Sequence, residues 1–352
     1  MPKRDKLHYA KLIANPGAGK AADLNNNLKL AVKCLEQLGI QADVALAKPK
    51  EEATRIAAKA IKEGYKTVIA MGGDGTLEAA MRGVLDSDRK VKFGILPFGT
   101  ENNVAKSLGI PENVEAACAL IAQNETRNVD IGQIKLKNGK KTYFFELAVI
   151  GLAAALYPPA NKILKGQLSK IKDAAETLVQ HDSKSKVFMK LDEDSRVQVE
   201  TMLVVVSNTP MFGKNFLVAP HASMDDGLLD VSVYPNFSKT ELLTYYAAIM
   251  NEGYSENEKV QHYRVHKFAL KTKPALAVNA DAVTLGTGDL KIKCLKGALR
   301  VYAPASNGGP NAIVTQPVAD VPAPLSPPMP AEQPPSKAVP ETTPVVSEQR
   351  VK

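Results

Sequence analysis

Over the first third of the chain, short runs of apolar and β-branched residues alternate with amphipathic stretches. Tyr9 to Ala14, Gln41 to Leu46, Thr67 to Ala70 and the run opening at Lys92 read as buried strands. Ala21 to Leu38, Glu51 to Glu63, the stretch from Leu77 to Arg82 and Val114 to Gln123 have the composition and spacing of helices. This βαβα alternation predicts a doubly wound α/β domain over residues 1–127.

From Asn128 onward strand-like runs dominate: Val129 to Leu136, Thr142 to Val149, Lys186 to Leu191, Gln198 to Ser207, Leu228 to Tyr234 and Tyr263 to Thr272. Turns connect most of them, which predicts an antiparallel β-sandwich over 128–304. Its last strand, about 290–304, is expected to return to the first domain. Two helices are expected within it, Asn161 to Val179 and Lys239 to Met250. The first carries Ile163, Leu164, Leu168, Ile171 and Leu178 on one face and Lys162, Lys165 and Lys172 on the other. A solvated lysine face and a membrane-facing one both fit that pattern. Residues 305–352 hold about half of the 23 prolines and no periodicity, the composition of a disordered tail.

The glycines fall where strands turn into helices. Thr67–Ala70 runs into Met71-Gly72-Gly73-Asp74-Gly75-Thr76-Leu77 and then a helix. Glycines at that turn let a ligand approach the backbone, and the helix start behind them favours anions. Asp74 repels phosphate unless a cation lies between them, so its presence points to a Mg²⁺-nucleotide; a tight turn with an Asp cap is the competing reading. Asn15-Pro16-Gly17-Ala18-Gly19-Lys20 is a second such turn and lacks the spacing of a Walker loop. Pro97-Phe98-Gly99-Thr100 is a third. There Thr100 suits either an N-cap or a phosphate-binding hydroxyl.

A net charge of +8 favours acidic partners. Aromatics at 5% and the absence of Trp argue against nucleic acid. Three scattered cysteines, Cys34, Cys118 and Cys294, suggest neither a disulfide framework nor a zinc site. The opening residues lack an apolar signal core, and the apolar run from Tyr143 to Tyr157 carries Glu146 and falls short of the roughly 20 residues of a span. A cytoplasmic protein, associated peripherally with membranes, is the expectation.

In order and spacing, Asn15-Pro16-Gly17-Ala18-Gly19, Gly72 to Thr76 and Pro97 to Ala105 resemble the diacylglycerol kinase catalytic superfamily, in particular the soluble bacterial lipid kinases related to sphingosine kinases. Asn128-Val129-Asp130-Ile131-Gly132, Asp225-Asp226-Gly227-Leu228-Leu229-Asp230 and Gly297-Ala298-Leu299-Arg300-Val301 extend the resemblance to about Tyr9–Pro304. It implies an ATP-binding domain, a β-sandwich, a cleft between them, and phosphorylation of a hydroxyl on diacylglycerol or a similar lipid. By position it implies that Asn15, Gly17, Gly72, Gly73, Asp74, Gly75, Thr76, Gly99 and Thr100 hold Mg²⁺-ATP. It further implies that Asp130 joins Asp74 in an acidic, metal-linked network, and that Asp226 and the backbone at Leu228 hold a structural Mg²⁺. A lipid substrate, a membrane surface and a second copy of the chain are the implied partners.

Two departures stand out. Glu101-Asn102-Asn103 replaces the family's usual Gly-Asn-Asp, and Asp281-Ala282-Val283 falls where the family has Asp-Gly-Glu. Val283 cannot accept a proton, so Asp281 is the expected substitute base and Val283→Glu is expected to raise transfer. A catalytically weak relative that binds nucleotide or lipid as a regulator is the alternative. An NAD kinase shares the Gly-Gly-Asp-Gly turn without the other features.

Overall fold

The apolar runs of the first third become strands β1 (Tyr9–Ala14), β2 (Gln41–Leu46), β3 (Thr67–Gly72) and β4 (Lys92–Pro97). A computed structural model describes residues 9–17, 21–49, 51–87, 91–156, 184–192, 195–212, 216–253, 256–281 and 283–305. The four strands pair in parallel in the order β4-β3-β1-β2. Every residue of β3 is buried, which is why its sequence shows no alternation. Helices α1 (Ala21–Gln37), α2 (Glu52–Lys62), α3 (Asp74–Leu85), α4 (Asn103–Ser107) and α5 (Val114–Gln123) complete this half.

The second half is antiparallel. It contains β5 (Thr126–Leu136), β6 (Lys141–Phe144), β7 (Leu147–Gly151), β8 (Ser185–Leu191), β9 (Ser195–Ser207), β10 (Met211–Phe212), β11 (Phe216–Leu217), β12 (Leu229–Pro235), α6 (Lys239–Glu252), β13 (Gln261–Val265), β14 (Lys267–Lys273), β15 (Ala277–Ala280), β16 (Val283–Thr287) and β17 (Leu290–Tyr302). Buried and exposed positions alternate along β8 and β14, as one-sided burial requires. Strand β17 joins the halves. It runs antiparallel to β14 and β5, and its end pairs in parallel with β4 through Arg300 and Val301. One core lies beneath the parallel strands, around Leu12, Ile69, Met71 and Phe93, and another between the sandwich layers, around Val187, Val204, Val231 and Leu270.

The structure departs from the sequence pattern at three points that matter for the site. The run predicted as one strand from Thr142 to Val149 breaks at Phe145-Glu146, and Tyr263–Thr272 breaks at His266. The composition of Glu101 to Leu108 predicts a helix over that whole stretch, but α4 begins only at Asn103, because Asn102 adopts a left-handed φ of 55°. Strands β15 and β16 were not anticipated. The helix expected over Asn161–Val179 and the tail from 306 lie outside the described residues. No helix among the described residues is long and apolar enough to cross a membrane.

Candidate active site

Three loops meet at the carboxyl ends of β1, β3 and β4, where parallel sheets bind ligands. Sheet-like hydrogen bonds draw them together: the Asn15 amide donates to the Met71 carbonyl at 3.1 Å and the Phe98 amide to the Gly72 carbonyl at 2.8 Å. Asn15 Nδ2 donates to Thr76 Oγ1 at 2.9 Å, and the Gly17 amide to Asn15 Oδ1 at 2.9 Å. Gly73 and Gly99 touch backbone to backbone, so a Cβ on Gly99 would stand 2.4 Å from Gly73 Cα. At Gly72 a Cβ would meet the Thr76 side chain at 2.7 Å. These positions are glycine because the loops leave no room for a side chain. Gly73 is the N-cap of α3 and offers no side-chain cap, so the first-turn amides at Asp74 and Gly75 are left to other partners. Thr100 is exposed beside this cradle. Asp74 is half-buried, and its Oδ1 accepts the Val104 amide at 3.2 Å, which ties the start of α3 to the start of α4.

Beside the cradle lies a buried acidic pocket that sequence reasoning did not assemble. The break between β6 and β7 turns Glu146 inward, where it is 2% exposed. Glu146 Oε2 accepts Asn103 Nδ2 at 3.1 Å, while Asn103 Oδ1 is buried with no partner among the described residues. Asp281 makes the break. Its carboxylate accepts the amides of Phe145 at 2.9 Å, Glu146 at 3.0 Å and Leu147 at 3.2 Å, from a left-handed φ of 47°. Arg82 Nη2 lies 3.9 Å from Asp281 Oδ2 and 3.7 Å from the buried Glu78.

Burial pushes Glu146 well above the usual carboxylate range, and the charges of Asp281, Asp74 and Glu78 push it further. Burial also pushes Asp281 up to about 6, against the opposing pull of its three amide donors and Arg82. Three N–H donors favour the ionised form of Asp281, so of the two carboxyls Glu146 is the one that ionises at the higher pH.

The remaining expected residues lie elsewhere. Asp130 is fully buried, and its carboxylate accepts the amides of Gly227 and of Gly297, the latter at 2.6 Å. It therefore anchors the 225–230 turn and the β17 bulge rather than pairing with Asp74. Burial raises it against the pull of the two amides, and the charges of Asp226 and Asp225 raise it further. The structural Mg²⁺ expected at Asp226 and Leu228 does not fit the residues present. Asp226 Oδ1 accepts the Leu228 amide at 2.8 Å, and Oδ2 pairs with Arg264, whose Nε also stands 3.7 Å from Asp230. The guanidinium supplies the positive charge a metal would bring. Among the described residues no group of three or more His, Cys, Asp and Glu side chains is arranged to hold a metal.

The signal for Glu146 in the sequence was a lone carboxylate in an apolar run. Glu78, one helical turn from Asp74, gave none beyond its place in the motif. Asn208, which bridges the carbonyls of Asp130 and Phe145 at 2.9 Å each, gave none at all.

A doubly wound sheet bearing this cradle, continued by a strand into a β-sandwich, defines the fold shared by NAD kinases and diacylglycerol kinases. Residues 9–134 match the diacylglycerol kinase catalytic domain, and residues 151–303 match the YegS C-terminal, NAD kinase β-sandwich-like domain. The chain belongs to the diacylglycerol kinase catalytic superfamily. It is 29% identical over 293 residues to a probable YegS-like lipid kinase of Pseudomonas aeruginosa, covering 82% of this chain and 93% of that protein. To a diacylglycerol kinase of Mycobacterium tuberculosis it is 24% identical over 315 residues, or 86% and 97% of the two chains. A diacylglycerol kinase structure from Bacillus anthracis shares the fold, with a TM-score of 0.67 over 85% of this chain and 97% of that one at 23% identity.

Proposed function

We propose that this chain is a lipid kinase that transfers the γ-phosphoryl group of Mg²⁺-ATP to a hydroxyl of diacylglycerol or a similar lipid. The observation that carries the reading is the glycine cradle opening beside the pocket of Glu146, Asn103 and Asp281. Asn15, Gly17, Gly72, Gly73, Gly75, Thr76, Gly99 and Thr100 hold the nucleotide phosphates, largely through backbone amides. Asp74 suits Mg²⁺, which when bound neutralises phosphate charge. A carboxylate at a phosphate cradle is favourable only with a cation present.

Val283 is partly buried and packs against the sandwich core, so it offers no proton acceptor. Asp281 has its oxygens committed to three backbone amides. Glu146 is the better-placed base, with Asp281 as a positioning residue that holds the bend presenting it. In the transfer, the lipid oxygen bonds to the γ-phosphorus as the bond from that phosphorus to the bridging oxygen breaks. ADP leaves with the electron pair, and the hydroxyl proton passes to Glu146 in its ionised form.

Val283 also favours a second reading, a regulator that binds nucleotide or lipid without turning it over. Incubation with labelled ATP, Mg²⁺ and a lipid extract separates the two. Labelled phospholipid is expected from the native protein and none from Asp74→Asn. Nucleotide binding without any lipid product establishes the regulator, and neither binding nor product sinks both readings.

A further inference from the structure

The outer face of the sandwich carries basic side chains that neither cradle nor pocket uses. Following the strand register, Lys141 lies opposite Lys135, and Lys135 opposite Lys291. Lys291 lies opposite Ala269, Ala269 opposite Lys190, and Lys190 opposite Arg196. Directly opposed residues project from the same face. A single basic row therefore crosses six strands, β6-β5-β17-β14-β8-β9, about 24 Å at the usual strand spacing. All five of its charged residues are exposed. Four of its lysines, together with the opposed pair Lys267 and Lys293, line a depression of 660 Å³. Asp192 is the one carboxylate lining it among the described residues, and it is engaged by the backbone amides of His266 and Lys267.

Like charges placed directly opposite each other destabilise a sheet. A row that sets Lys135 between two other lysines gains when an anionic surface covers it. We propose that this face docks the protein on an anionic bilayer, with lipid phosphates in the lysine-lined depression. A bilayer fits better than nucleic acid for two reasons. Lysines are point charges on flexible stems, without the forked geometry that reads base edges. A broad sheet face also presents no helix or ribbon to a groove. The proposal extends the lipid kinase reading by giving it a membrane-facing side, but the binding itself does not depend on catalysis.

The test is co-sedimentation with phosphatidylcholine vesicles containing rising fractions of phosphatidylglycerol, at several salt concentrations. Native protein is compared with the triple variant Lys135→Gln/Lys190→Gln/Lys291→Gln. The charge-matched control is Lys29→Gln/Lys33→Gln/Lys62→Gln, three exposed positions on α1 and α2. Native binding should rise with anionic lipid and fall with salt. The row variant should lose about fivefold per lysine, about a hundredfold in all, as expected for charges at a surface. The control should lose far less. Because the row repels itself, the row variant should melt at or above the native temperature; if it melts lower, the single variants, at about fivefold each, decide. Native binding indifferent to anionic lipid, or equal losses in the row variant and the control, would overturn the proposal. So would duplex DNA binding tighter than vesicle binding at matched salt and lost in the row variant, which would make this a nucleic-acid surface. Failure of the kinase reading leaves vesicle binding intact, and failure of docking leaves phosphorylation of detergent-solubilised lipid intact.

Discussion

Replacing Glu146 by Gln isolates the base from everything else in the pocket. The amide is nearly isosteric, and its oxygen can keep the 3.1 Å bond from Asn103. The variant removes one charge from a pocket shared with Asp281, Asp74 and Glu78. The sign of the stability effect follows from linkage. Glu146 ordinarily titrates near 4.5 and is raised well above that in the folded chain, so folding takes up a proton in between. The stability associated with Glu146 is fully present below about pH 4.5 and is lost as pH rises through its folded value. Glu146→Gln should therefore melt at or above the native temperature, with a gap that widens as pH rises. Catalysis should move the other way. Loss of a positioned base costs about 10²–10⁴-fold, or about 2.7–5.4 kcal/mol at about 1.36 kcal/mol per decade.

The assay is single-turnover transfer from labelled ATP to diacylglycerol in mixed micelles across a pH series, with nucleotide affinity and melting measured alongside. Native kcat/KM should rise with pH as Glu146 ionises, and the variant should lose that limb with ATP affinity unchanged. Transfer within about threefold of native, with the limb intact, would refute the assignment, because base removal costs far more. Asp281→Asn is the companion. Its amide group must face at least one of the three backbone N–H groups, leaving a buried donor unpaired at about 1–3 kcal/mol. It should melt several degrees lower. Transfer lost in Asp281→Asn without a change in melting, and intact in Glu146→Gln, would return the base to Asp281.

Val283→Glu places a carboxylate against the sandwich core, so it should lower the melting temperature and leave transfer no higher than native, which the same single-turnover assay reads. Gly99→Ala forces a Cβ to 2.4 Å from Gly73 Cα, and should cost about 1–3 kcal/mol in denaturant titration while abolishing nucleotide binding. Asp74→Asn keeps an acceptor for the Val104 amide and should melt normally, while calorimetry finds that Mg²⁺ no longer enhances ATP binding. Arg264→Ala leaves Asp226 and Asp230 without their cation. Burial holds Asp230 up at about 6, so the loss in melting temperature should be largest above pH 6 and should shrink as pH falls through that value and the folded Asp230 becomes protonated.

The first half of the fold was legible because its information is local. A buried parallel strand is a short apolar run, and a glycine turn at its carboxyl end reads directly as a cradle. The structure sets Asn15 against Thr76, and Gly73 against Gly99, at the loops those turns predicted. Register was harder to read. The break at Phe145-Glu146 comes from a carboxylate 135 residues away, Asp281, whose capture of three amides no local pattern contains. The same holds for Asp130. Its motif was visible, but its partners Gly227 and Gly297 lie on distant turns.

The acidic pocket shows why a residue-by-residue transfer of roles has a limit. A position that lacks a carboxylate, such as Val283, removes a base only if no other side chain reaches the same space. Strands β15 and β7 are hydrogen-bonded neighbours, with Ala280 opposite Ala148, so the chain just after Ala280 and the chain just before Ala148 lie close together. Asp281 then bends that second segment until Glu146 meets Asn103. On the proposed reading, the proton acceptor comes from the neighbouring strand, at a position where the linear motif gives no sign of one. That substitution is a property of sheet pairing, and it is what Glu146→Gln and Val283→Glu, measured side by side, put to the test.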